Sequence, residues 1–371
     1  MPRKEISLYV HVPFCAGKCA YCDFYSIPYE RITADLYKSA VIRNVKRYVE
    51  TGQIVFDTVY FGGGTPSLLP GEIAEITAFL RESGALSENA EISVEANPSD
   101  ICAAENALGT LRGASVNRVS VGAQSLNEGE LRFLGRRHDP KMAAAALANA
   151  RKAGFENISA DIMLGIPGQT ADSLYRTLGA LAEHRVVHVS AYILKIEEGT
   201  PLAAVRLRSP EAFPGEDETA ELYLRAADFL GENGFAQYEI SNFAKPGFEC
   251  AHNLKYWRCG EYIGLGPAAH SFYGKKRFAV PKDVEGFIAA LTQETYVTEE
   301  NPADFGEWAM LKLRLTEGIT FAECEERGVK RETLLERASA VPRRCLRISE
   351  TGVSLTAEGF LAANSVISAM I

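Results

Sequence analysis

Residues 5–26 run EISLYVHVPFCAGKCAYCDFYS, a β-branched strand that ends at Pro13 and gives way to a loop holding Cys15, Cys19 and Cys22. Three of the chain's eight cysteines therefore sit in one short turn. The 371-residue chain opens with no long apolar run or small-residue cleavage site, and no apolar span of membrane length follows, so a cytoplasmic setting is expected. Thiols stay reduced there, and a tight group of them reads as a metal or cofactor site rather than a disulfide framework. The C-x3-C-x2-C spacing lets one loop fold three thiolates around one centre. A cubane iron–sulfur cluster held at three of its four irons keeps the last one open for a small molecule. Structural zinc needs a closed tetrahedral shell, and His11 is the fourth ligand available to that alternative.

Outward from this loop, short β-branched runs alternate with helical patterns. The predicted strands are SLYVHV, FDTVYFGG, AEISVEA, NRVSVGA, NISADIML and HVSAYIL. Between the first two, residues 33–51 place Tyr37, Val41, Val45, Tyr48 and Val49 on one helical face, with Thr33 as cap and Gly52 as stop. Further helices are expected at about 71–82, 140–153, 171–183 and 217–231. Strands followed by helices imply a parallel α/β sheet, a partial (β/α)6 TIM-like barrel with active loops at the carboxyl ends of its strands. Residues 1–241 are assigned to this barrel. The Gly-, Pro- and aromatic-rich segment 242–299 reads as a connecting segment, and 300–371 as a small helical domain carrying a β-ribbon, LRISETGVSL. A formal charge of −9 argues against a broad nucleic-acid footprint. The basic string Arg132, Arg136, Arg137 and His138 remains a local patch, either solvated or facing a ligand.

At the predicted strand ends stand groups suited to a small ligand. Gly62, Gly63 and Gly64 leave the backbone bare after the second strand, a tight turn being the alternative. Glu95, Gln124 and Asp161 close the third, fourth and fifth strands, where a side chain projects into a barrel mouth. A buried carboxylate or amide without a partner costs a few kcal/mol, so each satisfies a turn or serves a ligand.

The cysteine spacing resembles the signature of radical S-adenosylmethionine (SAM) proteins. The segments LYVHVPFC, YFGGGTPSLL, SVEANP, VSVGAQSL, LGRRHD, DIMLGIPGQT and LKIEEGTPL, in that order, resemble the oxygen-independent coproporphyrinogen III oxidase family. The resemblance implies a [4Fe-4S] cluster on Cys15, Cys19 and Cys22. It also implies SAM contacts from Tyr9, Tyr21, Gly63, Gly64, Thr65, Glu95, Gln124, Arg136 and Asp161. Two departures point to the HemW-type heme-chaperone branch. Phe24 stands where the oxidases carry a further cysteine, and the chain begins almost at its first strand, without their N-terminal extension. HNLKYW at 252–257 resembles the H-N-x-x-Y-W motif of that branch. The resemblance makes His252, Asn253, Tyr256 and Trp257 a candidate heme site, the histidine as axial donor and the aromatics as walls, with Cys250 and His270 as competing ligands. His252 hydrogen-bonded inside a sealing loop is the structural alternative. The implied partners are heme and heme-accepting proteins, membrane-bound respiratory enzymes among them, with a peripheral membrane position compatible. Nucleic acid is not expected as a partner, and the oligomeric state is open. SAM cleavage is allowed, whereas coproporphyrinogen turnover is not expected. The rival readings are an oxidase, a radical enzyme acting on transfer RNA and a zinc-stabilised binding module.

Overall fold

A computed structural model describes residues 3–104, 106–300 and 302–371. Six parallel strands follow the expected runs: β1 (Lys4–Val12), β2 (Ile54–Gly63), β3 (Leu86–Ala96), β4 (Arg118–Gln124), β5 (Asn157–Leu164) and β6 (His188–Ile193). Period-2 alternation explains their two faces. In β1, Ile6, Leu8, Val10 and Val12 are buried in the hydrophobic core, while Ser7, Tyr9 and His11 alternate with them. The helix Arg31–Val49 crosses back over this layer and buries Tyr37, Val41 and Val45, each Val or Leu so buried contributing about 1.5–3 kcal/mol. Its cap position is Glu30, not Thr33. Thr33 lies in the first turn, where its hydroxyl donates to Glu30 Oε2 at 3.4 Å. The helix ends at Val49, and Gly52 follows at φ 64° with its N–H on the Val49 carbonyl. Helices Pro70–Glu82, Pro140–Lys152, Ala171–Glu183 and Glu216–Glu232 match the sequence pattern within a residue or two.

Residues 242–299 do more than connect. Asn242–Ala244 pairs antiparallel with β6 at one edge, and Tyr262–Leu265 joins the opposite edge as a parallel neighbour of β1. Strands His270–Tyr273, Lys276–Ala279 and Tyr296–Glu299 extend that edge antiparallel. The resulting 12-stranded sheet runs from Tyr296–Glu299 to Ala236–Gln237 without closing. Beyond it, Ile319–Thr320, Leu346–Ile348 and Gly352–Leu355 form a separate three-stranded antiparallel ribbon among short helices. Trp308, Leu313 and Phe360 pack into the same apolar cluster as the barrel residues. Among the described residues no helix is long and apolar enough to cross a membrane.

Candidate functional site

At the carboxyl ends of the strands lies a cavity of about 500 Å³. Its wall includes Cys15, Cys19 and Cys22 together with Gly63, Gly64 and Thr65. The cysteine loop is stitched to the glycine loop by backbone hydrogen bonds, Gly64 N–H to Val12 O and Thr65 N–H to Phe14 O, both 2.7 Å. A Cβ on Gly64 would lie 2.5 Å from the Phe14 carbonyl oxygen, and one on Gly63 2.5 Å from the His11 ring. These glycines therefore let two loops touch, a packing role the sequence does not reveal on its own. Thr65 Oγ1 sits 3.2 Å from Cys15 Sγ. Arg136 reaches across from beyond β4 and donates to Cys19 Sγ and Tyr21 Oη at 3.4 Å each, and to the Gly122 carbonyl at 2.7 Å.

Opposite the cysteines stand Glu95, Gln124 and Asp161, with Gln124 at φ 62°. Glu95 accepts hydrogen bonds from Tyr60 Oη at 3.0 Å and the Gly63 N–H at 3.1 Å. Its pKa is nevertheless pushed up to about 7, first by burial and then by the Asp161 carboxylate. Burial raises Asp161 as well, against hydroxyl donors that include Ser120 at 3.0 Å. Arg118, 1 % exposed, lines the same cavity. One of its nitrogens meets His188 Nδ1 at 3.3 Å, while Nε and Nη1 find no hydrogen-bond partner among the described residues, nor does Nε of Arg136. Unpaired buried donors are rare and costly, so this floor suits an anionic ligand group, and the two raised carboxylates suit an amino or hydroxyl group. A zwitterionic amino-acid moiety carries both.

The basic string divides. Arg136 enters the cavity, Arg137 pairs with Asp100 at 2.8 Å, Arg132 pairs with Glu128 on the surface, and His138 is buried on the Ala123 carbonyl at 3.0 Å. Tyr9 stands apart from the other expected contacts, its hydroxyl on His11 Nδ1 at 3.0 Å. Arg118, Tyr60, Ser120 and Ser190 line the cavity and were not picked out from sequence. An arginine opening an apolar strand was the available signal for the first. His11 does not complete a metal shell, because its Nδ1 faces Tyr9 and its Nε2 faces the Tyr25 carbonyl at 3.0 Å. Among the described residues no three His, Cys, Asp or Glu side chains converge as ligands of a single ion. With His11 otherwise engaged, three thiols leave a tetrahedral zinc shell one ligand short, whereas a cubane binds three thiolates through three of its irons. The cysteine wall fits the cluster.

The four residues of the expected heme group face different surroundings. His252 is 1 % exposed on the helix Ala251–Trp257, with Nδ1 2.7 Å from Thr58 Oγ1, Nε2 2.7 Å from Tyr256 Oη and its ring stacked on Tyr60 at 5.1 Å. Burial holds its pKa down at about 3. Both nitrogens are engaged, so the histidine braces the barrel interior, while the Tyr256 ring also lines a cavity on the other side. Asn253 lines the cysteine cavity, and Trp257 lies instead beside Arg314, at 5.9 Å. Cys250, fully buried against Glu91, is pushed up to about 12 by burial.

A radical SAM superfamily model matches residues 9–181. The whole chain superimposes on coproporphyrinogen III oxidase (HemN) from Escherichia coli with TM-score 0.83 at 22% identity, covering 100% of this chain and 91% of that one. The chain thus carries a radical SAM domain over residues 9–181 on a HemN-like fold. Proteins named heme chaperone HemW from Mycobacterium tuberculosis and Bacillus subtilis are 36% and 34% identical. The alignments cover 100% and 98% of this chain, and 96% and 99% of theirs. A HemW from Lactococcus lactis is 32% identical over 88% of the chain and 86% of its own length. The chain belongs to the HemW family.

Proposed function

We propose that this protein is a heme chaperone, binding heme and passing it to acceptor proteins, and that it carries a [4Fe-4S] cluster and SAM. The observation that carries this reading is the end-to-end similarity to HemW relatives, whose name states the activity. Phe24 supports it from the sequence, standing where a further cysteine would mark the oxidase branch. In this reading residues 1–241 hold the cluster, 242–299 complete the barrel's outer edge, and 300–371 form the small helical unit.

Cys15, Cys19 and Cys22 would hold the cluster, which supplies when bound an iron with an open coordination position. Arg136 holds Cys19 in place through a charge-assisted hydrogen bond to its sulfur. Gly63, Gly64 and Thr65 set the distance between the cysteine wall and the strand ends. Glu95, Gln124 and Asp161, with Tyr21 at the rim, orient the amino-acid and ribose parts of SAM, and Arg118 answers its carboxylate. The acceptors are heme proteins, membrane-bound respiratory enzymes among them, reached from the cytoplasmic side. Mixing the heme-loaded protein with heme-depleted respiratory membranes tests delivery. Cytochrome absorbance should rise in the membranes as the Soret band leaves the soluble fraction, and heme retained by the protein would refute delivery.

A further inference from the structure

A second cavity, of about 590 Å³, lies on the other side of the cysteine loop. Its size falls within the range of small-molecule and cofactor sites. Asp23 and Phe24 line both cavities, so the end of the cysteine loop is a shared wall. Phe24 is 66 % exposed, an apolar ring held at the rim with nothing covering it. Tyr256 and Tyr262, edge to face at 4.5 Å, line the cavity as well. His270, at the start of the strand His270–Tyr273, is exposed and also lines it. No side-chain hydrogen bond engages its imidazole among the described residues, in contrast to His11 and His252. Arg277 is tied to Glu307 at 2.7 Å and lies over the Phe272 ring at 4.8 Å, whereas Lys282 on the same wall makes no ion pair among the described residues.

An open imidazole, aromatic walls and a cation at the rim are the three groups that a flat, apolar, anionic metallo-macrocycle requires. Resting on the heme-chaperone reading, we propose that this cavity is the heme site, with His270 as axial ligand through a ring-nitrogen lone pair and Lys282 facing a propionate. The cargo then lies against Phe24, at the end of the loop that carries the cluster cysteines. Partial desolvation by the cavity wall, and then the neighbouring cations Arg277 and Lys282, lower the His270 pKa, which favours the neutral imidazole with its lone pair available. Cys259 on the same wall is the poorer donor, because burial and Glu307 raise its thiol pKa and keep it protonated.

Hemin titration of the full-length protein, followed by Soret absorption and electron paramagnetic resonance, tests this with four chains: the unaltered protein, His270→Ala, Lys282→Glu and Cys259→Ala. The unaltered protein and Cys259→Ala should give the same imidazole-ligated spectrum. His270→Ala should lose that spectrum, bind about tenfold more weakly or worse, and recover the imidazole signature when free imidazole is added. Lys282→Glu should weaken binding about tenfold, since a charge-assisted contact becomes a repulsion, while keeping the spectrum. Because His270 and Lys282 are exposed, the variants at these two positions should melt as the unaltered protein does. Unchanged spectrum and affinity in His270→Ala overturn the assignment while leaving the chaperone reading intact. Absence of hemin binding by the unaltered protein overturns both.

Discussion

Glu95 shows how one residue's setting becomes a measurable property. Its pKa rises from 4.5 to about 7, so between those values the folded chain binds more protons than the unfolded one. Stability then falls as pH rises through this window and levels off above it, with the full penalty present above pH 7. At 1.36 kcal/mol per unit the penalty is at most about 3 kcal/mol, reduced by whatever solvent the open mouth admits. Glu95→Gln has no such titration. Melting curves of the ligand-free proteins should show the variant gaining on the parent from pH 4.5 to 7, and a constant difference would contradict this setting. His252 makes the opposite case. With both ring nitrogens bonded inside the barrel, His252→Ala should cost about 2–4 kcal/mol in denaturant unfolding, removing the partner of the Tyr256 hydroxyl and leaving Thr58 with Ser7 alone, beside a void. The motif HNLKYW was legible as a unit, and the shared helical face of His252 and Tyr256 was predictable from their spacing. An inward, hydrogen-bonded histidine was one of the two readings left open, but its partners could not be named, because Thr58 and Tyr60 come from a strand nearly two hundred residues earlier, a separation of 194 for Thr58. Arg118 was missed for the same reason: its role appears only when β3, β5 and β6 enclose it.

Elements were more legible than residues. The six barrel strands follow period-2 apolar runs of ordinary length, and the crossover helices carry clear apolar faces, so pattern alone locates them. The added strand Tyr262–Leu265 was not seen, since YIGL is four residues long and broken by glycine, and its identity as a strand comes from pairing with β1. Contact between the cysteine and glycine loops was equally hidden. It predicts that Gly64→Ala, by forcing a methyl group against the Phe14 carbonyl, displaces the loop preceding Cys15. Iron and sulfide per chain after anaerobic reconstitution should fall well below the parent's, with the far-ultraviolet dichroism unchanged. Cys19→Ala should lose the cluster outright with the same preserved dichroism, because the core of β1–β6 is built from apolar side chains rather than metal bonds. A Cys19→Ala protein that fails to fold would contradict that independence, and full iron loading in Gly64→Ala would contradict the role given to the loop contact.

On the scale of the molecule, the open sheet places two cavities back to back across one loop, each with its own chemistry. The first gathers thiols, raised carboxylates and unpaired arginine donors; the second gathers aromatic rings, an open imidazole and a lysine. A protein using both would hold its cargo beside its cluster without exposing the cargo to the SAM side. A heme chaperone carries heme as cargo and does not make its precursor. Anaerobically reconstituted protein with SAM and a reductant should be given hemin in one cell and coproporphyrinogen III in another. Saturable hemin binding with no protoporphyrinogen formed is the predicted result, and turnover of coproporphyrinogen, or hemin spectra unchanged by the protein, would contradict it.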